Sequence, residues 1–242
     1  MKQLLLLLGC LFAAQTLSAQ ELDEVYYEKG LEYFATGDYA KALGLFRKAD
    51  QLADGQEELY RLYAGLCCER EKRYDEAIEW YYPAAAQEYA EAQYQLGGCY
   101  AEKGDYMRAL FWYRKAAEQE ETAAQLALAA CYEAGRGVAR DDGMAVQWYR
   151  KAAEQRSPEA QFALGKNYAE GRGVPCDPAR AFYWYELAAG QQHTEAQYRL
   201  GCCYYTGTGV MQNHKKAASW LRKAAENGHR EAQELLTRLD RR

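Results

Sequence analysis

The tryptophans of this chain recur at nearly constant spacing. They lie at intervals of 32, 36, 36 and 36 residues, at Trp80, Trp112, Trp148, Trp184 and Trp220. Each occupies a similar local sequence, most alike at residues 145–154 and 217–226. Small and aromatic residues alternate there at steps of three and four, which is the spacing of one buried helical stripe. A period of this length predicts stacked helical units, because each unit needs its neighbours to bury its apolar face.

A second motif precedes the tryptophan segments and predicts a partner helix. It reads AQYQLG at residues 92–97, AQFALG at 160–165 and AQYRLG at 196–201. Alanine and leucine four residues apart share one helix face, and the adjacent glycine lets a neighbouring helix approach closely. We call this partner helix A and the tryptophan helix B.

The A-to-B loop accounts for the two repeat lengths. The 36-residue units carry Gly-x-Gly-Val at 135–138, 171–174 and 207–210, whereas the 32-residue unit has the short turn 103–106. Glycine supplies the positive φ that a helix stop prefers. A Gly-x-Gly sequence also occurs in phosphate-binding loops, but that use needs a preceding strand, and no strand pattern is visible in the sequence. The pattern therefore favours a turn.

The combined motif runs Ala-x-x-x-Leu-Gly-x-x-Tyr, a Gly-x-Gly-Val loop, then Ala-x-x-Trp-Tyr-x-Lys-Ala-Ala-Glu. It resembles the Sel-one-like repeat family, a relative of the tetratricopeptide repeats. The resemblance implies an all-α fold, a right-handed α-solenoid of helix-turn-helix repeats whose A helices line the concave side. It also implies the family's typical role as an adaptor or scaffold. Such repeats serve many assemblies, so the motif determines the fold far better than the function.

Helix B alanines at six aligned positions predict six helix pairs and a final capping helix. The predicted segments are a signal peptide at 1–19, tetratricopeptide-like repeats at 20–56 and 57–89, a third repeat at 90–121, Sel-like repeats at 122–157, 158–193 and 194–229, and the capping helix at 230–242. The charged end of that last helix suits a terminal unit that faces water.

The amino terminus is typical of an export signal. Lys2 precedes the apolar run Leu4–Ala14, and small residues follow at Ser18 and Ala19. The run is shorter than the roughly 20 residues that a bilayer-spanning helix needs, so we expect no transmembrane span and a periplasmic or secreted protein. A lipobox ending at Cys10, which would make the protein lipid-anchored, is the alternative interpretation.

We expect a protein or peptide partner. If the A helices face inward, one column along the groove is apolar: Tyr27, Leu62, Tyr94, Leu126, Phe162 and Tyr198. Aromatic anchors of this kind are common in peptide recognition. Polar and aromatic neighbours would form the rim, namely Lys166, Tyr205, Glu102, Glu133 and Glu170. The alternative interpretation is that the column packs between A helices and the rim is a solvated face. Nucleic acid is an unsuitable partner for a chain with 30 basic and 35 acidic residues.

Cysteines recur at one helix A position, at Cys67, Cys99, Cys131 and Cys203. Packed helices lie about 8 to 10 Å apart, whereas a disulfide needs Cα atoms within roughly 7 Å, so small buried thiols are favoured over a ladder of bridges. Cysteine-rich relatives join helix A to helix B inside a unit, but no helix B of this chain contains cysteine. The disulfide state of Cys176, Cys202 and Cys203 stays open.

The sequence gives little support for catalysis, for a metal site or for a cofactor. The three histidines show no short ligand spacing; His193 and His229 occupy the same position between repeats, 36 residues apart. Some cysteine-rich relatives are linked to β-lactams, but Ser157 and Ser219 do not begin Ser-x-x-Lys. We therefore expect a non-catalytic scaffold without a cofactor. A permanent structural role in an envelope assembly is the main alternative.

Overall fold

The structure is a computed structural model that describes residues 19–53 and 57–239. Those residues form thirteen α-helices and no strand: α1 Ala19–Ala35, α2 Tyr39–Leu52, α3 Glu57–Arg70, α4 Tyr74–Ala86, α5 Ala90–Glu102, α6 Tyr106–Glu118, α7 Thr122–Ala134, α8 Asp142–Glu154, α9 Pro158–Glu170, α10 Pro178–Gly190, α11 Thr194–Thr206, α12 His214–Glu226 and α13 Arg230–Leu239. The all-α fold and its repeated helix pairs are confirmed. The predicted signal segment up to Ser18, including Cys10, lies outside the described residues.

The described residues divide into two compact units, the first ending at Lys103 and the second beginning at Gly104. In the first unit, each helix from α1 to α5 packs on the next one. In the second unit, α7 to α13 pack in the same sequential way, with A and B helices alternating. Each unit is thus a stack of helix hairpins, as the repeat predicts.

Local sequence explains where the B helices begin. Five of the six begin after an N-cap residue whose side chain accepts a hydrogen bond from a backbone N–H of the first turn: Asp38, Asp105, Asp141, Asp177 and Asn213. The sixth, α4, follows Arg73, which makes no such bond. Such caps stabilise a helix by about 1 kcal/mol each, because they satisfy amides that have no partner inside the helix.

The interior of each hairpin is built from small residues. Helix B alanines such as Ala145, Ala181 and Ala217 are almost fully buried. The helix A glycine lies directly against the aromatic or leucine side chain of helix B: a β-carbon added at Gly165 would lie 2.6 Å from the Tyr185 ring. At Gly165 the missing side chain is what lets the Tyr185 ring lie against helix A, whereas α7 has Ala129 at the equivalent position.

A buried glutamine joins successive hairpins. Gln93, Gln125 and Gln161 donate through Nε2 to the carbonyl oxygens of Ala85, Ala117 and Ala153 at 3.0 to 3.3 Å. Each carbonyl belongs to helix B of the preceding repeat. Gln161 also accepts a hydrogen bond from Gln191, at 2.8 Å, at the end of its own helix B. The Ala-Gln motif therefore fixes one repeat against the next as well as marking helix A.

The Gly-x-Gly-Val segments are turns, as expected. Their first glycines, Gly135, Gly171 and Gly207, are left-handed C-caps of helix A. The second glycine has a further role that the sequence does not reveal. A β-carbon added at Gly173 would lie 2.9 Å from the Gly143 nitrogen and still closer to the Asp142 carbonyl, both at the start of the preceding helix B. The longer loop thus reaches back to the previous repeat.

The last helix, α13, covers the end of the second unit. Ala232 is fully buried, and it joins Leu221 and Ala224 of α12 in one cluster against which Leu235, Leu236 and Leu239 pack. The predicted capping helix from Arg230 to Leu239 is confirmed.

Candidate functional site: the helix A face

In the first unit, only part of the predicted column is exposed to solvent. Leu62 is 2% exposed and belongs to the interior. Tyr27 is half-buried, with its ring centroid 5.8 Å from that of Phe46 and 5.1 Å from that of Tyr60. Burial, followed by interactions with Tyr63, raises the pKa of Tyr27. Leu62 and Tyr27 therefore serve packing, and Tyr94 is the half-buried member of the column on α5.

In the second unit, the column residues keep an exposed edge. Leu126, Phe162 and Tyr198 are half-buried at equivalent positions of α7, α9 and α11. Phe162 and Tyr198 also pack against the core beneath them. The predicted packing interpretation therefore holds for one side of each ring, and the exposed edges form the candidate binding face.

Histidines hold the two rings of this face in place. The His193 ring stacks on Phe162 with centroids 4.8 Å apart, and the His229 ring stacks on Tyr198 at 4.3 Å. Each histidine lies just before the next helix, His193 before α11 and His229 before the capping helix α13. Each accepts a backbone hydrogen bond through Nδ1, from Ala196 at 3.2 Å and from the first turn of α13 at 3.3 Å. They are helix caps as well as stacking partners. Such fixed rings lose little conformational entropy when they bind a ligand.

Charge is arranged differently at the two histidines. Burial lowers the pKa of His193, although Glu159 and Glu195 act in the opposite direction. His229 Nε2 lies 2.8 Å from the Glu195 carboxylate. Burial favours a higher pKa for Glu195, but hydrogen bonds from His229 and Arg199 outweigh it and lower that pKa. Because Nδ1 accepts the backbone hydrogen bond, Nε2 is the nitrogen that donates to Glu195.

The predicted rim residues are dispersed. Lys166 on α9 and Tyr205 on α11 are half-buried, and the Tyr205 ring meets His214 edge-on at 5.4 Å. Glu133 accepts a hydrogen bond from Tyr149 at 2.9 Å and lies 3.5 Å from Arg172. Glu170 pairs with the same arginine. Lys166 is thus the cation nearest in sequence to Phe162, whereas Glu133 and Glu170 have intramolecular partners.

The cysteines are protected thiols. Cys67, Cys68, Cys99, Cys131 and Cys203 are buried, which agrees with the expected small interior thiols. Burial, mainly, raises the pKa of Cys67 and Cys99 to about 12 and that of Cys68 and Cys203 to about 11. A thiol with a raised pKa is a poor nucleophile at neutral pH, because little thiolate is present. Cys176 is the exposed cysteine of the α9–α10 loop.

Two other kinds of site are absent from the described part of the chain. Over residues 19–53 and 57–239, no cluster of histidine, cysteine and carboxylate side chains is arranged to hold a metal ion. Within the same ranges, no helix combines the length and apolarity needed to cross a bilayer.

Comparison with protein families gives five consecutive matches to the Sel1 repeat, at residues 51–89, 90–121, 122–157, 158–193 and 194–229. Residues 23–55 match a tetratricopeptide repeat. The second repeat, expected to be of the tetratricopeptide kind, therefore matches the Sel1 repeat. A search of curated proteins finds no match.

Solved structures share the fold. A protective antigen present in uropathogenic Escherichia coli strains, with an SLR fold, is 31% identical with a TM-score of 0.76, covering 88% of this chain and 48% of its own. A Sel1 repeat protein from Oxalobacter formigenes is 30% identical with a TM-score of 0.78, covering 92% of this chain and 67% of its own. This chain thus spans about half the length of the E. coli antigen. Pseudomonas aeruginosa pilF, 19% identical with a TM-score of 0.66 over 90% of this chain and 98% of its own, shares the fold alone.

The site predicted from the sequence did not include the histidine caps or the glutamine bridges that the structure shows. A signal for the caps was present in the sequence. Ser157 precedes Pro158 at the position equivalent to His193 and His229, and a serine before proline is a typical helix start. The stacking itself had no signal, because it joins residues 31 positions apart that no local pattern connects.

Proposed function

The chain belongs to the Sel1 repeat family, and from that premise we propose that it acts as an exported scaffold that binds a peptide segment of another protein on its helix A face. The repeat fold suggests a protein–protein interaction scaffold, and the family is generally non-catalytic. Stacked hairpins present an extended surface as a consequence of their architecture. The amino-terminal sequence from Lys2 to Ala19 supports action outside the cytoplasm.

The single observation that carries the binding site is the pair of stacked rings in the second unit. Phe162 and Tyr198 are each stacked on an imidazole and packed against the core, and each keeps a partly exposed edge. Large rings held in one orientation make good anchors for a peptide, because they offer contact area without having to be ordered. Lys166 supplies a cation one helical turn from Phe162.

The test replaces both rings without emptying the interior. Leucine is the natural residue at the equivalent position of α7, Leu126, so Phe162→Leu with Tyr198→Leu should keep the fold. The matched control is Phe111→Ala with Tyr183→Ala, which removes two aromatic rings that are 53% and 52% exposed on B helices. Circular-dichroism melts check that both variants fold.

The tagged full chain is expressed in its native cell, crosslinked and purified, and its companions are identified by mass spectrometry. We expect the wild type and the control to recover the same protein partner, and the leucine variant to recover at least about tenfold less, equivalent to about 1.4 kcal/mol. Equal recovery by the leucine variant would refute the helix A face. Mass spectrometry of the mature amino terminus tests export: a start at Gln20 supports cleavage after Ala19, a lipidated Cys10 supports an anchored form, and an intact Met1 contradicts both.

A further inference from the structure

The first hairpin differs from the others on one face of its A helix. The helix A glycine identifies equivalent positions, because a β-carbon added at Gly30, Gly65, Gly165 or Gly201 would meet the same helix B position: 2.6 Å from Phe46 at Gly30, and 2.7 Å from Leu221 at Gly201. In α7 the equivalent residue is Ala129. The residue before this position is fully buried in the five later hairpins, at Ala64, Leu96, Leu128, Leu164 and Leu200. In the first hairpin that residue is Lys29, and it is exposed.

In later hairpins this face is covered by a helix. Gln93 and Gln161, three residues before Leu96 and Leu164, donate to carbonyls of the preceding helix B at 3.0 and 3.3 Å. By helical spacing the buried leucines lie on the same side. Among the described residues, no helix lies before α1 to cover the corresponding face of the first hairpin. No described helix therefore fills the place that a helix holds in later repeats.

The open face contains a groove with an apolar floor and a basic rim. The groove has a volume of about 330 Å³ and is lined by Lys29, Tyr33, Lys41, Gly44, Leu45 and Lys48. A β-carbon added at Gly44 would have no atom within 4 Å, so this glycine leaves the floor of the groove unfilled. Tyr33 and Leu45 are half-buried and form its apolar part. We call this feature the end groove.

The lysines of the end groove are positioned by aromatic rings. The Lys41 ammonium lies 5.2 Å from the Tyr33 ring centroid, and that of Lys48 lies 5.3 Å from the Tyr26 centroid. Lys41 also pairs with Asp38 at 2.6 Å. Neither Lys29 nor Lys48 forms an ion pair with any side chain in the described part of the chain. This positive cluster contrasts with the formal net charge of -5 for the whole chain.

The positive charge of the end groove distinguishes between two possible occupants, residues 1–18 of this chain and a helix of a partner protein. Residues 1–18 are apolar from Leu4 to Ala14, but they carry Lys2 and no carboxylate, so they do not complement a basic rim. An amphipathic helix with an apolar stripe and flanking acidic residues complements both the floor and the lysines.

We propose that the end groove is a second docking site, which binds an acidic amphipathic helix of a partner protein in the position that the preceding helix B occupies in every later repeat. The site goes beyond the helix A face and uses different residues. Binding buries Tyr33 and Leu45 against the apolar stripe of the helix, and it brings glutamate or aspartate side chains of the helix against Lys29, Lys41 and Lys48. The partner helix thereby extends the stack of hairpins by one element.

The probe is a synthetic 18-residue peptide with leucines at helical spacing and glutamates on both sides of that stripe, labelled for fluorescence anisotropy. A second peptide has glutamine in place of glutamate. The full chain should bind the acidic peptide at least about tenfold more tightly than its glutamine analogue, and this preference should shrink in 500 mM NaCl, because rim charges are screened. Equal affinity for the two peptides would overturn the proposal.

Two variants locate the binding. Lys29→Glu with Lys48→Glu should weaken it about tenfold, as expected for two exposed ion pairs replaced by repulsions. Lys151→Glu with Lys223→Glu makes the same charge change at two exposed lysines lying 4.1 Å over tryptophan rings, and it should leave the affinity unchanged. Tyr33→Ala keeps every charge but removes a ring from the apolar part of the groove, so it should also weaken binding; the equivalent Tyr168 accepts a hydrogen bond from Arg150 of the preceding helix B. Affinity unchanged by Tyr33→Ala would show that no helix occupies the groove.

Two further measurements test whether an anionic membrane binds the end groove instead, and whether the end groove is independent of the helix A face. Vesicles containing phosphatidylglycerol that bind the wild type but not the Lys29/Lys48 variant, with no binding of the acidic peptide, would overturn the helix assignment in favour of an anionic membrane surface. The Phe162→Leu, Tyr198→Leu variant should bind the acidic peptide like the wild type. The proposals for the end groove and for the helix A face are therefore tested independently.

Discussion

The second glycine of the Gly-x-Gly-Val loop should contribute more to stability than the first. Gly171 and Gly173 have φ angles of +68° and +67°, so alanine at either position suffers the same backbone strain, about 1 to 2 kcal/mol. Their surroundings differ. An alanine β-carbon at Gly171 would approach Cys176 no closer than 3.3 Å, whereas at Gly173 it would overlap the backbone at the start of α8.

This overlap sets the size of the difference. Overpacking typically costs about 1 to 3 kcal/mol, and a backbone carbonyl cannot rotate away as a side chain can. Gly173→Ala should therefore lower the free energy of unfolding by about 2 to 5 kcal/mol, and Gly171→Ala by about 1 to 2 kcal/mol. The expected excess of Gly173→Ala over Gly171→Ala reflects the contact between repeats.

Urea unfolding followed by circular dichroism measures both variants. Gly190→Ala is the control, because its β-carbon meets no atom within 4 Å at the end of α10; it should change stability by less than about 1 kcal/mol. If Gly173→Ala and Gly171→Ala prove equally destabilising, the loop does not lock one repeat to the next and the reasoning is wrong.

Three further predictions concern the same interior. Gln161→Ala should lower the free energy of unfolding by about 1 to 3 kcal/mol, because the Ala153 carbonyl loses its buried donor; a thermal melt that is unchanged would contradict the bridging role. Because burial lowers the pKa of His193 in the folded state, the unfolded chain binds its proton more readily, so this residue should reduce stability as the pH falls below about 6.5, the ordinary value. Urea midpoints between pH 7.5 and pH 5 should fall less for His193→Asn, which keeps a capping side chain but does not titrate; parallel profiles would refute this. In the native protein at pH 8, Cys176 should react with a thiol reagent before Cys67 and Cys99, whose pKa values burial raises to about 12; a fast phase that persists in Cys176→Ser would refute the assignment.

Local sequence was sufficient for the fold of each repeat. The tryptophan period, the Ala-Gln motif and the paired glycines predicted the helix pairs and their loops, because each depends on residues within one or two helical turns. The capping helix from Arg230 to Leu239 was predictable for the same reason.

The candidate site was only partly predictable. The repeat period was enough to find Phe162 and Tyr198. The same period also put Leu62 in the column, but in the structure Leu62 is buried in the interior. Periodicity locates equivalent positions; it does not say how much of each side chain the neighbouring repeat covers. That depends on contacts between residues about one repeat apart.

The sequence by itself determined the repeat, its helices and the positions of its turns, since these follow from short-range spacing and backbone preference. Only the tertiary structure decided that histidines fix the rings of the helix A face, that Gly173 packs on the preceding helix, and that Lys29 occupies a place where later repeats bury an apolar residue. Each of these depends on which surfaces the packed helices bring together or leave uncovered, and that information is shared between hairpins and contained in none of them alone.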